Sequence, residues 1–336
     1  MRILAIESSC DETAAAIVRD KYTVEASIVL SQAEMHAAYG GVVPEIASRK
    51  HIEVVAGLTD AVLTEAGITG TQLDAVAVTY APGLIGALLC GVSFAKGYAY
   101  ARKLPLIPVH HLRGHIAGNY LAFPDLKPPF ICLLVSGGHT LVVKVETFTK
   151  MTAMATTRDD AAGEAFDKIA RVLGLGYPGG PVIDRIAKEG NPQAFTLPTP
   201  RVEGAPLDFS FSGLKTAVIN LIHNAKQKET PIHVPDLAAS FNDKVCLLLL
   251  DSALAVCKQE GIPTLCLAGG VAANSTLREQ AEARTKAADI RLYAPPVSLC
   301  GDNAAMIAAQ AFYEFEAGRI APLSLNAYAT RDIALG

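Results

Sequence analysis

Apolar and polar positions fall in blocks along this chain, and the same block order occurs twice. An apolar run from Ile3 to Ile6 ends in the polar turn Glu7-Ser8-Ser9-Cys10-Asp11-Glu12-Thr13, and the apolar run Ala14 to Val18 follows. Far downstream, Phe130 to Val135 ends in Ser136-Gly137-Gly138-His139-Thr140, and Leu141 to Val145 follows. Each block reads as strand, tight turn, strand. Asp74 to Thr79 then leads into Ala81-Pro82-Gly83-Leu84, and Pro263 to Ala268 leads into Gly269-Gly270-Val271-Ala272-Ala273-Asn274. Each of these reads as strand, glycine turn, helix.

Between the repeats the periodicity predicts a short strand from Leu104 to Val109 and a helix from His110 to Leu121. Phe123-Pro124-Asp125-Leu126-Lys127-Pro128-Pro129 breaks regular structure and marks a lobe boundary. Gly174 to Pro181 is a second glycine-proline turn. Pro192 to about Pro235 is richer in proline and polar residues and reads as an insertion, helical near Leu214 to Ala225. Val234 to Glu260 predicts a long amphipathic helix, and Asp302 opens a last helix running through Glu316. The expected architecture is α/β, a duplicated ribonuclease-H-like, actin-like plan of two lobes with an interlobe nucleotide cleft. Residues 1–122 form the first lobe, joined by a C-terminal helix within 303–336. Residues 123–302 form the second, with an insertion near 190–235.

Composition narrows this reading. At 336 residues, 51% hydrophobic and 18% charged, the chain is long enough for two large cores and is not of the disordered class. The formal net charge of −4 carries no bulk signature of nucleic-acid binding, so a local basic patch or a partner must supply any such attraction. The uncharged stretch Ala75 to Ala95 is long enough to raise a membrane span, but Thr79, Pro82, Gly83, Gly86, Gly91 and Ser93 split it. No charged-then-apolar leader precedes the strand pattern at Ile3. Seven cysteines without a C-x-x-C pair fit reduced thiols in a cytoplasmic protein.

Two features carry candidate chemistry. His111 and His115 are four apart on the predicted helix, so they share a face and can share a divalent cation. A bare H-x-x-x-H is more often a pair of ordinary polar residues at a helix start. Its place at the lobe junction, with Asp302 able to begin a helix from the other lobe, raises the metal reading. The pair resembles the zinc-protease motif H-E-x-x-H, but Leu112 stands where that chemistry needs its glutamate base. The second feature is the glycine turns. Ser136-Gly137-Gly138 leaves backbone N–H groups open to an oxyanion, although a plain hairpin loop explains a single S-G-G equally well. Asp167 and Asp184 flank the Gly179-Gly180 turn and can accept from ribose hydroxyls; a solvated helix face is the bland alternative. Asn274 can bond a base or ribose, or simply cap a helix. The first-lobe turn is acidic at Glu7, Asp11 and Glu12, which again argues for a cation nearby. No G-x-x-x-x-G-K phosphate loop is present.

In order, the chain holds Glu7 to Thr13, His36 with Tyr39-Gly40-Gly41-Val42-Val43-Pro44-Glu45, His111 to His115, and Leu134 to Thr140. Then come Gly163-Glu164-Ala165-Phe166-Asp167-Lys168, Tyr177 to Gly180, Phe209-Ser210-Phe211-Ser212-Gly213-Leu214-Lys215, Gly269 to Asn274, and Asp302 to Met306. This series resembles the bacterial TsaD family of tRNA N6-adenosine threonylcarbamoyltransferases, from Ile3 to about Ala308. The resemblance implies an acyltransferase that moves a threonylcarbamoyl group from threonylcarbamoyl-AMP to the N6 amine of the adenosine 3′ to the anticodon, in tRNAs reading ANN codons. It implies one divalent metal, iron by family habit with zinc compatible, on His111, His115 and Asp302. It places the adenylate on Leu134, Val135, Ser136, Gly137, Gly138, Asp167, Gly180, Asp184 and Asn274. It also implies tRNA, a non-catalytic TsaB-like paralogue and a small TsaE-like ATPase as partners, with no membrane association. Ser8, Arg113 and Gly301 depart from the usual Thr, Glu and Thr, and Arg113 suggests anion or RNA approach beside the site. Amine attack on a carbamoyl carbonyl needs no covalent intermediate, so positioning and charge stabilisation can carry the rate. Glu12 or Asp11 is the candidate acid/base or amine-orienting group. Two enzyme rivals are a small-molecule kinase of the same fold, which would hold magnesium on carboxylates without a histidine pair, and a metalloendopeptidase, which lacks its base here. A scaffold paralogue would show a broken metal trio.

Overall fold

The protein is described by a computed structural model covering residues 1–336. It divides into two compact units. Unit 1 comprises Met1–Pro128, Glu146–Met151 and Pro295–Gly336, and unit 2 comprises Pro129–Val145 and Thr152–Ala294. The chain passes from unit 1 to unit 2 between Pro128 and Pro129, at the end of the proline-rich segment. The far boundary is a correction: Pro295 to Asp302 belongs to unit 1, so Asp302 does not come from the second lobe.

Unit 1 is built on β1 (Arg2–Glu7), β2 (Glu12–Arg19), β3 (Thr23–Ser31), β4 (Ala75–Ala81) and β5 (Leu106–His110), in the order β3-β2-β1-β4-β5. The first three strands pair antiparallel, and β1, β4 and β5 run parallel. Its helices are α1 (Ala33–Ala37), α2 (Pro44–Glu65), α3 (Ile85–Arg102), α4 (His111–Ala122) and the chain's tenth, α10 (Ala304–Glu316). Side chains alternate across a strand, so β1 and β2 serve two cores at once. Leu4, Ile6, Ala15 and Ile17 pack with Val55, Leu58 and Val62 of α2 and Leu88 and Val92 of α3. Ile3, Ala5, Ala14, Ala16, Ala75 and Ala77 pack with Ala304, Ala305, Ala308 and Ala311 of α10. A sheet covered on both faces favours apolar residues along the middle of its strands, hence the runs Ile3 to Ile6 and Ala14 to Val18, while buried polar residues such as Glu7, Thr13 and Thr79 stand near strand ends. Alanine on both sides of the second interface lets α10 lie close to the sheet.

Unit 2 repeats the plan with β6 (Phe130–Val135), β7 (Thr140–Thr147), β8 (Lys150–Thr156), β9 (Thr264–Ala268) and β10 (Arg291–Tyr293). Their order is β10-β9-β6-β7-β8, which is the unit 1 order read from the opposite edge. The hairpin β6–β7 is antiparallel, while β6, β9 and β10 are parallel. The duplicated ribonuclease-H-like architecture is thus present in both units. The helices are α5 (Ala162–Val172), α6 (Gly179–Ala187), α7 (Ser212–Gln227), α8 (Val234–Glu260) and α9 (Ser275–Ala287). α8 has Pro235 in its first turn and stops at Gly261, whose φ of 65° is the left-handed conformation that glycine favours at a helix end. The insertion has no helix between Ala187 and Ser212. Asp159 tethers its end by accepting from the Ser210 hydroxyl at 2.6 Å and the Phe211 N–H at 2.7 Å. Asp160 pairs with Lys168 and Lys215.

No helix is long and apolar enough to cross a membrane. The stretch Ala75 to Ala95 is β4, a turn and the start of α3. All seven cysteines are free thiols.

Candidate metal centre and glycine turns

The centre in unit 1 is assembled by close approach of α4 and α10. His111 and His115 lie one turn apart on α4, and Asp302 stands just before Asn303, the N-cap of α10. Asn303 accepts from the Met306 N–H at 2.9 Å, which fixes the entry of the chain into that helix. Gly114 and Gly118 lie on the face of α4 that meets this segment. A Cβ on Gly114 would come within 2.6 Å of Ile307 Cδ1, and one on Gly118 within 3.2 Å of the Leu299 carbonyl oxygen. Glycine at these positions is what lets Asp302 reach the histidines. Asp302 Oδ1 lies 3.1 Å from His115 Nε2 and 3.6 Å from His111 Nε2. The three ligand atoms all lie within 4.8 Å of one another.

This arrangement fits a cation better than a hydrogen-bonded cluster. His115 is 1% exposed, and neither of its ring nitrogens has a hydrogen-bond partner, although Nε2 is so near Asp302. A buried imidazole with no partner at Nδ1 and only a poorly aligned carboxylate at Nε2 is costly unless something else is bound there. Donors about 2.0–2.1 Å from a shared tetrahedral ion stand roughly 3.3 Å apart, close to the two distances that Asp302 makes to the histidines. His111 is prepared differently. Its Nδ1 lies 3.1 Å from both Glu7 Oε2 and Ser9 Oγ, which leaves Nε2 for the Asp302 side. Glu7 is fully buried; its other partners are the Thr79 hydroxyl at 2.6 Å and the Ser9 N–H at 2.5 Å. A carboxylate behind a ligating histidine fixes its tautomer and raises its basicity.

Burial and clustered carboxylates shift the groups around the trio. Burial opposes protonation of His111, but the Glu7 and Asp302 carboxylates outweigh it and push its pKa up to about 9. The Glu12 carboxyl is pushed up to about 9 by burial and by repulsion from Asp302 and Asp11. Burial also resists ionisation of Glu7, yet His111 holds its pKa below the usual value. Cys10, beside this turn, has its thiol raised well above the ordinary range by burial and Asp11, so it is no thiolate nucleophile.

In unit 2 the glycine turns converge on the end of β6. A Cβ on Gly163, at the start of α5, would lie 2.6 Å from the Ser136 carbonyl oxygen and 2.7 Å from Gly137 Cα. Gly269 has φ +87°, and a Cβ there would meet the Val135 carbonyl oxygen at 2.4 Å. Leu134 and Val135 are buried strand residues, whereas Gly137 and Gly138 are exposed. Ser136 and His139 close the turn through Ser136 N–H to the His139 carbonyl at 2.8 Å and His139 N–H to Ser136 Oγ at 3.2 Å. Gly179 packs its backbone on α5, and Gly180 faces open space. Asp167 accepts from the Gly179 N–H at 2.7 Å. Asp184 accepts from the Ser275 N–H and hydroxyl at 3.0–3.2 Å. Asn274 caps α9, accepting from the Leu277 N–H at 2.9 Å, and its amide donates to Asn242 Oδ1 at 2.8 Å. Both residues therefore anchor the start of α9 besides any part in a ligand site.

The model of the family "TsaD: tRNA N6-adenosine threonylcarbamoyltransferase" matches residues 23–309. The chain belongs to the TsaD family. A tRNA N6-adenosine threonylcarbamoyltransferase of Clostridium perfringens (strain SM101) is 51% identical over 325 residues, 97% of this chain and 96% of that one. One of Clostridium botulinum (strain 657) is 50% identical over 327 residues, again 97% and 96%. Among solved structures, T. kodakarensis HypF shares the fold with a TM-score of 0.65 at 15% identity, over 95% of this chain and 48% of that one.

Two residues of this TsaD-family chain stand in roles that sequence reasoning did not foresee. Glu7 appears in the sequence only as one acid of a turn; its place as the last residue of a buried strand is what aims it at His111. Arg113 is a correction. It is fully buried and bonded to the Ile333 and Ala334 carbonyls and to Glu314, so it offers nothing to an approaching anion or RNA.

Proposed function

We propose that this TsaD-family transferase moves the threonylcarbamoyl group of threonylcarbamoyl-AMP onto the N6 amine of the adenosine 3′ to the anticodon in tRNAs reading ANN codons, with a divalent cation held by His111, His115 and Asp302. The observation that carries the metal part is His115, buried without a well-formed hydrogen bond at either nitrogen although Nε2 lies 3.1 Å from the Asp302 carboxylate. An imidazole and carboxylate set suits iron or zinc. When bound, the cation supplies positive charge for phosphate or carboxylate oxygens of the adenylate.

The chain's own groups do the rest of the positioning. Gly137 and Gly138 are exposed, and their backbone N–H groups take phosphate oxygens. Asp167, Asp184, Gly180 and Asn274 serve the adenosine, the polar ones by adding or exchanging a bond. Glu12 or Asp11, in the turn beside the trio, orients the incoming amine. No buried nucleophile is required, because amine attack and AMP departure proceed by direct transfer once the partners are aligned. A TsaB-like paralogue and a TsaE-like ATPase complete the working assembly, and basic surface on a partner helps to hold tRNA against a chain of net charge −4.

The test is depletion of the protein followed by mass spectrometry of digested tRNA, with loss of the threonylcarbamoyl nucleoside as the expected result. Restoring His111→Ala should restore neither bound metal nor the nucleoside. Normal modification by that variant refutes the metal assignment.

A further inference from the structure

Asp302 and Glu314 mark the two ends of the α10 segment that meets α4. Between them lies Ile307, the residue in contact with Gly114. On α4 the matching order is Arg113, Gly114, His115. The crossing of the two helices thus has a metal ligand pair on one side, His115 with Asp302, and an ion pair on the other, Arg113 with Glu314 at 3.1 Å. Both members of that ion pair are buried, at 0% and 1% exposure.

The buried charges are fully engaged. Arg113 Nε donates to the Ile333 carbonyl at 2.9 Å and Nη2 to the Ala334 carbonyl at 3.2 Å. Glu314 also accepts from the Gln310 amide at 2.7 Å and from Arg319 Nη1 at 2.8 Å. Arg319 in turn donates to the Gly336 carbonyl at 2.8 Å. The segment bearing those carbonyls is hooked down by Ile333, which is 2% exposed. A buried ion pair is weak evidence for stability, since desolvation offsets the attraction, but it is unforgiving of geometry. Metal ligands need placement to within about 0.2 Å. A rigid fork two residues from each histidine is well placed to set that distance.

We infer that Arg113 and Glu314, seated on the Ile333 and Ala334 carbonyls, are positioning residues that set the gap between the helices carrying His111, His115 and Asp302. The segment 333–336 is then part of the metal centre's support although it touches no ligand. This rests on the metal reading given above.

The experiment uses the full chain and Co²⁺ as probe, read by visible absorption and by titration, alongside thermal unfolding in chelator. Glu314→Gln keeps volume and removes the charge. Ile333→Asp unseats the segment and leaves Arg113 short of two acceptors. Val245→Ala, in the core of unit 2, serves as a destabilised control. Loss of a group bonded directly to a ligand typically weakens metal binding about 10–100-fold, and supports one step further out belong at the low end of that range. The first two variants should show at least about a tenfold loss of Co²⁺ affinity and an altered absorption band. The control should lose thermal stability with Co²⁺ affinity and spectrum unchanged. If Glu314→Gln and Ile333→Asp bind Co²⁺ as the parent does, the positioning role is wrong even if they melt early. If the parent does not bind Co²⁺ at all, the metal reading fails and takes this inference with it.

Discussion

Replacing Glu7 by glutamine removes one oxygen acceptor from a place where three donors converge. The Ser9 N–H meets Oε1, while the Thr79 hydroxyl and His111 Nδ1 meet Oε2. An amide offers a single acceptor oxygen. If that oxygen takes the Oε2 position, the new NH₂ group faces the Ser9 N–H, and a buried donor is left unpaired. If it takes the Oε1 position, the Thr79 hydroxyl can rotate to accept, but His111 retains only Ser9 Oγ. Either way one buried group loses its partner, which costs about 1–3 kcal/mol of stability. The effect on the metal is separate. Losing the carboxylate behind a ligating histidine lowers affinity about 10–100-fold, equivalent to roughly 1.4–2.7 kcal/mol. The assay is Co²⁺ titration followed by absorption, with thermal unfolding in excess chelator to isolate the stability term. Thr79→Val provides the comparison, since it deletes one donor and keeps the charge, and its metal affinity should fall less. A Glu7→Gln protein with the parent's Co²⁺ affinity would refute the claim that Glu7 prepares His111.

Two further outcomes follow from the same geometry. Gly269→Ala combines a φ of +87° with a Cβ 2.4 Å from the Val135 carbonyl oxygen, so it should cost about 1–3 kcal/mol or more and lower the urea midpoint. His51 is buried between Thr13 Oγ1 and the Cys10 carbonyl, and burial pulls its pKa below 6.5. The unfolded chain therefore takes up a proton near pH 6.5 that the native state refuses. Stability should be independent of this group above that pH and should fall as pH drops below it towards the depressed native value. His51→Gln should flatten that part of the stability–pH curve; an unchanged slope between pH 6.5 and 5 would show that His51 does not contribute it.

Much of the fold was legible because its strands are buried on both faces. The runs at β1, β2, β6 and β9 have no polar interruption, and the long helix was found with the bounds Val234–Glu260 that the structure shows. The strands left unread are β3, β8 and β10. β3 has only the short run Ile28-Val29-Leu30 among polar residues, β8 mixes apolar residues with Lys and Thr, and β10 has three residues, so none presents a run as long as those of the central strands. The trio His111, His115 and Asp302 was legible from helical spacing and the family resemblance. Its supports were not. Glu7, Gly114 and Glu314 matter through contacts across more than a hundred residues of chain, and no local pattern encodes such a contact. The origin of Asp302 was misjudged for the same reason: the chain returns to unit 1 at Pro295, before any periodic signal of α10 begins.

The place of α10 in the chain has a consequence for biogenesis. Every strand of the first sheet has been synthesised by His110, yet the helix that covers one of its faces starts at Ala304. At about 5–20 residues per second, roughly 10–40 s of synthesis separates the two. Throughout that interval the nascent chain carries an uncovered bed of Ile3, Ala5, Ile107 and Val109, and two histidines without their aspartate. The grouping of His111, His115 and Asp302 can close only near the end of translation, long after the first sheet is made.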